Sequence, residues 1–259
     1  MPNIKLVITY DGTEYHGFQI QPGGIRTIQG VLEETIASLA GETVRVIGSG
    51  RTDSGVHALA QVVNFSTASS IPPERWVIAL NNKLPQDIRV LEAALVPEDF
   101  HARYRARAKS YRYLIGVAPQ PNPALIRYTW WIGQPLDLPK MSEAATYLLG
   151  KQDFASFQTA GSSAQTSVRT IYQSQFRLLS GFSGLMEPEC SAAGQIVAYD
   201  ITADGFLYNM VRNIVGLLHR VGRGQVQPDE VKAIIRARDR SCVGRLAPPQ
   251  GLWLTKVWY

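Results

Sequence analysis

The sequence predicts an α+β protein. Two ferredoxin-like βαββαβ halves are expected to join their strands into one extended mixed and antiparallel sheet, with helices on one face and a central basic cleft. Three observations predict it. Apolar runs of strand length alternate along the chain with segments of helical period. The first half reads strand, helix, strand, strand, helix, strand, which is the split βαβ order. The second half follows the same order without repeating the residues. A chain of 259 residues accommodates two such units. The division is placed at residues 1–105 and 106–259, because residues 97–109 are polar and rich in arginine.

Each element has a local reason. Residues 4–9 form a strand and residues 10–13 turn it. Thr27 caps a helix running to Ala40, with Ile28, Val31, Leu32, Ile36 and Leu39 on one face and Gly41 as its stop. Residues 44–49 and 61–65 are strands. Pro72 and Pro73 open a helix through Trp76, Val77 and Leu80, and residues 88–94 form the next strand. In the second half, residues 110–117 are a strand, followed by a link containing Pro119, Pro121 and Pro123. A helix at 141–149, strands at 170–178 and 196–203, helices at 207–221 and 228–237, and a strand at 252–258 complete it. Residues 180–194 are rich in Gly, Ser and Ala and read as a hairpin loop or insertion.

Composition narrows the function. Hydrophobic residues make up 45% and charged residues 18%, which suits a packed core rather than disorder. The net charge is +5, which favours a polyanionic partner. Two cysteines, Cys190 and Cys242, supply neither a disulfide framework nor zinc-ligand spacing, and Cys242 is expected to be a buried packing residue. The chain enters its first strand without a signal-like segment and has no membrane-length apolar run, so the expected location is cytoplasmic.

The residues most suggestive of chemistry lie in the loop Gly48-Ser49-Gly50-Arg51-Thr52-Asp53-Ser54-Gly55-Val56-His57-Ala58. Glycines crowd an arginine, an aspartate and a histidine into one tight segment. The plainer account is a Thr-Asp-Ser-Gly turn with Asp53 bonded to its own backbone, and the loop alone does not separate the two. A second stretch, from Phe100 and His101 through Ala102, Arg103, Tyr104, Arg105 and Arg107 to Lys109, Tyr111, Arg112 and Tyr113, interleaves positive charge with aromatics. Such a run suits RNA phosphates and unpaired bases. Tyr113 is expected to pack in the core instead. A third stretch places Arg212 within a helical stripe, with Tyr208 and Gly216 four residues to either side. An arginine there needs a carboxylate partner, for which Asp53 is a candidate, or else lies at the edge of the stripe.

Several chemistries lack their signatures. His16, His57, His101 and His219 stand in separate segments without metal-ligand spacing, so no metal is expected. The sequence contains no P-loop, no dinucleotide fingerprint after a strand and no serine-hydrolase elbow.

Together these stretches resemble the tRNA pseudouridine synthase A family. The resemblance rests on residues 50–58, Tyr10-Asp11-Gly12-Thr13, Asp99-Phe100-His101-Ala102-Arg103, Tyr111-Arg112-Tyr113, Asp153-Phe154, residues 210–216 and Gly251-Leu252, in that family's order. Ser54 stands where the family usually has alanine, residues 161–165 match its tRNA-contacting segment only loosely, and residues 180–194 look longer than its usual hairpin. The resemblance implies isomerisation of uridine to pseudouridine at positions 38, 39 and 40 of tRNA, without a cofactor, by a homodimer. It implies that Asp53 is the nucleophile, that Arg51 takes part in flipping the base, that Tyr111 stacks on the uracil and that Arg212 pairs with Asp53. It assigns the run Phe100, His101, Ala102, Arg103 and Tyr104 to tRNA binding, with Arg103 in contact. His57 is expected to position the loop. Two other functions are weighed against this one. A nucleoside or glycoside hydrolase led by Asp53 normally needs a second carboxylate, and none is placed by motif. A non-catalytic RNA-binding module with two RRM-like halves lacks the usual aromatic RNA-binding signature and leaves Asp53 unexplained.

Overall fold

The computed structural model describes residues 1–161, 164–179 and 195–259. The insertion expected at 180–194, and Ser162 and Ser163 of the 161–165 segment, lie outside the described residues. The elements in chain order are β1 (Asn3–Tyr10), α1 (Ile28–Ala40), β2 (Ile47–Gly48), β3 (His57–Ser66), α2 (Arg75–Asn81) and β4 (Ile88–Val96). There follow β5 (Ala108–Val117), β6 (Trp130–Ile132), α3 (Leu138–Thr146), β7 (Gly150–Asp153), β8 (Val168–Leu179) and β9 (Gln195–Ala203). The series ends with α4 (Met210–Gly222), α5 (Glu230–Ala237) and β10 (Leu252–Trp258). Among the described residues no helix is long and apolar enough to cross a membrane.

The chain forms two compact units. One comprises Met1–Lys109 together with Trp253–Tyr259, and the other comprises Ser110–Leu252. In the first unit the strands lie in the order β4-β1-β3-β10, with β2 also against β3. β1 runs antiparallel to both β3 and β4, and β10 runs parallel to β3 through the pairs Trp253–His57 and Leu254–Ala58. Period-two patterning explains β1: Ile4, Leu6, Ile8 and Tyr10 are buried. Each fully buried aliphatic side chain there contributes roughly 1.5–3 kcal/mol. α1 has the predicted bounds. Thr27 Oγ1 accepts from the Gly30 N–H, Gly41 closes the helix in the left-handed conformation, and Ile28, Leu32 and Ile36 face inward.

Two strands differ from expectation. The run at 44–49 pairs only at Ile47 and Gly48. The reason lies in α1: the Val46 N–H donates to Glu33 Oε1 at 2.9 Å and its carbonyl accepts from Gln29 Nε2 at 3.1 Å. Helix side chains thus satisfy a backbone that a neighbouring strand would otherwise need to meet. β3 instead begins four residues early, at His57. Its register against β1 slips between Ile8–Gln61 and Tyr10–Ala58, so β3 carries one extra residue there. This bulge lies at the end of the strand where the glycine-bracketed loop enters.

In the second unit the strand order is β5-β9-β8-β7, with β6 parallel to β5 and β8 antiparallel to both β7 and β9. β6 and β7 were not anticipated. β6 has three residues, and β7 reads Gly-Lys-Gln-Asp without apolar alternation. α3 starts three residues earlier than predicted, because Asp137 caps it by accepting from the Lys140 N–H. α4 starts three residues later, because Asn209 takes the left-handed conformation at φ 61° and interrupts a helix expected from 207. Leu207, Val211, Ile214 and Leu218 are buried as the periodicity indicates. Cys242 is exposed rather than packed inside. It sits in a 3₁₀ turn, Arg240–Cys242, capped by Asp239.

Candidate active site

The first unit holds the Asp53 loop. Ser49 is fully buried; its N–H donates to the Val62 carbonyl and its hydroxyl lies 2.5 Å from Gln61 Oε1. The Gln61 amide then donates to the Gly50 carbonyl at 2.9 Å. Beyond the exposed Arg51, Thr52 turns inward again. Its hydroxyl is 2.8 Å from the buried Tyr10 hydroxyl, and its carbonyl accepts from the Phe18 N–H at 3.0 Å. Gly17, at φ +84°, allows that approach: a Cβ there would stand 2.6 Å from the Thr52 oxygen. Burial pushes the Tyr10 phenol up to about 12, the Thr52 hydroxyl opposing the shift.

Asp53 is half-buried. Its carbonyl accepts from the Val56 N–H at 3.1 Å, closing the turn, and the Ser54 hydroxyl donates to the Tyr15 carbonyl at 3.1 Å. His57 is fully buried and stacks on Trp253 with centroids 4.3 Å apart. Its Nδ1 lies 3.1 Å from both the Gly12 nitrogen and Asp11 Oδ1. The unprotonated nitrogen accepts from Gly12, whereas a protonated one donates to Asp11. In either state the imidazole is an internal fixture of the loop. Lys109 also reaches this loop: a Cβ on Gly50 would lie 3.0 Å from its Nζ.

The basic segment of the same unit divides by burial. Ala102 is fully buried; its N–H donates to Asn64 Oδ1 at 2.8 Å and its carbonyl accepts from the Tyr259 hydroxyl at 2.8 Å. Phe100 packs against Tyr259, and its carbonyl accepts from Asn3 Nδ2. These two residues anchor the segment. His101 Nδ1 accepts from the backbone of Arg103 and Tyr104, and its ring lies 4.2 Å from that of Tyr104. Arg103 and Tyr104 face outward, and Tyr104 is 75% exposed. Arg105 is also exposed but is bonded to Asp99.

The second unit holds Tyr111 and Arg212. Tyr111, on β5, is 8% exposed and meets Phe206 edge to face at 5.1 Å. Arg112 is committed to Asp200 through Nε at 2.7 Å, and Arg177 shares that carboxylate. It therefore leaves the set of phosphate-facing arginines anticipated from sequence. Tyr113 is fully buried, donates to the Pro248 carbonyl at 2.7 Å, and is held well above the ordinary tyrosine range by burial. Arg212 is half-buried; Nε donates to the Ala247 carbonyl at 2.8 Å and Nη1 to Asn209 Oδ1 at 3.1 Å. One turn further on, Gly216 meets backbone, since a Cβ there would stand 2.1 Å from the Arg245 oxygen.

Sequence reasoning missed Tyr10, Phe206 and Asn209 as neighbours of these groups. Asn209 had a signal, an Asn directly before an apolar helical stripe, which marks a helix start. Among the described residues no three His, Cys, Asp or Glu side chains converge as metal ligands.

Comparison with known proteins bears on this arrangement. The tRNA pseudouridine synthase family model matches residues 6–105 and 144–259. The tRNA pseudouridine synthase A of Acetivibrio thermocellus is 47% identical over 259 residues, covering the whole of both chains. The protein of that name from Thermoanaerobacter sp. is 44% identical over the same span. The tRNA pseudouridine synthase A 2 of Clostridium perfringens is 46% identical over 260 residues, again covering both chains in full. With matches across both units, the chain belongs to the tRNA pseudouridine synthase family of isomerases.

Proposed function

We propose that the protein converts uridine to pseudouridine at positions 38, 39 and 40 of the tRNA anticodon stem-loop, with Asp53 as nucleophile. The supporting observation is the setting of that carboxylate. Asp53 is only half-buried, while Thr52 before it and Val56 and His57 after it are buried and hydrogen-bonded. A carboxylate so placed is held still and remains within reach of a substrate. The names of the full-length relatives supply the substrate class.

In the reaction the C1′–N1 bond breaks, uracil turns in place, and C1′ bonds to C5. The hydrogen on C5 leaves as a proton, and N1 takes one up. The base must first leave the stack, at a cost of a few kcal/mol that an inserted side chain offsets. The exposed Arg51 is assigned that insertion. Asp53 then adds to C1′, adds to C6 or abstracts a proton at C2′; all three routes require the carboxylate ionised. Tyr111, steadied by Phe206, is assigned to the uracil face, so that the freed base rotates rather than escapes. Arg212 is assigned to pair with Asp53, a role suited to a permanently charged planar donor. Arg103 and Tyr104 are assigned to the tRNA, with Phe100, His101 and Ala102 shaping their segment. The enzyme is taken to work as a cytoplasmic homodimer without metal or cofactor.

Tritium release from tRNA carrying 5-tritiated uridine tests the reading. The native enzyme should release label, and Asp53→Asn should release none above background. Full release by the variant would remove Asp53 from the chemistry. Release of free uracil by the native enzyme would replace isomerisation with hydrolysis.

A further inference from the structure

Asn209 is set apart by its backbone. It is one of two non-glycine residues with positive φ among the described residues, at φ 61° and ψ 8°. The left-handed region is uncommon outside glycine, and asparagine is among the residues that enter it most readily when hydrogen bonds hold it there. Here the contacts are visible. The Asn209 carbonyl accepts from the Asn213 N–H at 2.9 Å, the first bond of α4. Its side chain is used at both ends. Nδ2 donates to Thr159 Oγ1 at 3.2 Å, and Oδ1 accepts from Arg212 Nη1 at 3.1 Å. The two bonds fix which end is which, because a reversed amide would aim its donors at a guanidinium.

Thr159 is itself held. Its N–H donates to the Tyr208 carbonyl at 3.2 Å, and its hydroxyl lies 3.4 Å from Asn213 Nδ2. Asn213 is fully buried and donates to the Phe157 carbonyl at 2.8 Å. The segment after Phe157, the start of α4 and the Arg212 head are therefore linked by one chain of short polar contacts. On the other side of the guanidinium, Nε is held by the Ala247 carbonyl. A long arginine side chain has many rotamers, and two fixed acceptors on different nitrogens select one orientation of the plane.

We propose that Asn209 is the positioning residue for Arg212: its left-handed backbone turns the amide so that Oδ1 holds the guanidinium, with Thr159 fixing the amide's other end. Asn209 needs no contact with substrate. This inference rests on the assignment of Arg212 to the reaction. It predicts that losing Asn209 costs turnover rather than tRNA affinity, because the guanidinium remains but its plane is no longer set.

The test uses the full chain and four variants: Asn209→Gly, Thr159→Val, Arg212→Met and the Asn209→Gly/Arg212→Met double variant. Glycine adopts positive φ without a side-chain penalty, so the turn into α4 is retained. Asn209→Gly should melt close to the native enzyme and lower kcat about ten- to a hundredfold, as misplaced groups commonly do. Its KM for tRNA should stay within about twofold. In the double variant kcat should match that of Arg212→Met alone, since the two residues act as one unit. Thr159→Val should lower kcat in the same direction by a smaller factor. Unchanged kcat in Asn209→Gly overturns the proposal, as does a double variant whose losses multiply. Equal losses in kcat and tRNA affinity also overturn it. If Asn209→Gly fails to fold, Thr159→Val decides, and native kcat there overturns the proposal. Native kcat in Arg212→Met would instead overturn the assignment of Arg212 to the reaction.

Discussion

Thr52 shows how single side chains fix the Asp53 loop. Its hydroxyl is buried against the Tyr10 hydroxyl, and its backbone oxygen is bonded to Phe18. Asp53, the next residue, inherits that rigidity. Removing the phenol oxygen with Tyr10→Phe leaves the Thr52 hydroxyl buried without this partner, at a cost of about 1–3 kcal/mol in urea unfolding. Burial raises the Tyr10 hydroxyl from its ordinary value of 10.0 to about 12. A raised tyrosine contributes stability that is complete below the unfolded value and is lost as pH climbs from about 10 towards 12. Tyr10→Phe lacks that dependence. Its melting temperature should decline less than the native protein's between those pH values, and parallel declines would count against Tyr10 as the titrating group.

At the scale of elements, α4 is held at close quarters. Gly216 faces the backbone of residues 245–247, where Ala247 both donates to the Arg212 carbonyl and accepts from its guanidinium. Gly216→Ala places a methyl group where the Arg245 oxygen sits. Overpacking of this kind costs roughly 1–3 kcal/mol. The variant should unfold at lower denaturant and lose kcat as well, because the Ala247 anchor shifts; a loss of stability alone would separate the two effects. The same helix marks where sequence ceases to suffice. α1 was legible to the residue because Thr27, the apolar stripe and Gly41 are all local signals. The start of α4 was not, because a left-handed Asn209 is sustained by Thr159, fifty residues earlier. The expected strand at 44–49 shrank to the two residues of β2 because the backbone of Val46, just before it, is met by the Gln29 and Glu33 side chains. The glycines at 48–55 marked a tight loop, and the Asp53–Val56 turn is there, whereas nothing near Arg112 in sequence announced Asp200 as its partner.

Over the whole molecule, the charge balance of +5 is too modest to identify a nucleic-acid partner by itself. The distribution of pairing is more telling. Arg112 and Arg177 are tied to Asp200, and Arg105 to Asp99, so these cations are partly neutralised within the fold. Arg103 is exposed beside the Tyr104 ring. Arg103→Ala should weaken tRNA binding and reduce the dependence of log affinity on log salt by about one unit. Arg105→Ala should change that slope less, since its charge is already shared with Asp99. Titrations at several salt concentrations distinguish the two, and equal slopes would erase the difference assigned to them.

Trp253–Tyr259 group with the first unit, where Trp253 stacks on His57 and Tyr259 holds the Ala102 carbonyl. On the ribosome these residues emerge only after the entire second unit has been made, a delay on the order of ten seconds. Throughout that interval the Asp53 loop has its own glycines and Thr52 but no ring behind His57. The first unit therefore gains its last strand, and His57 its stacking partner, only after the second unit has been made.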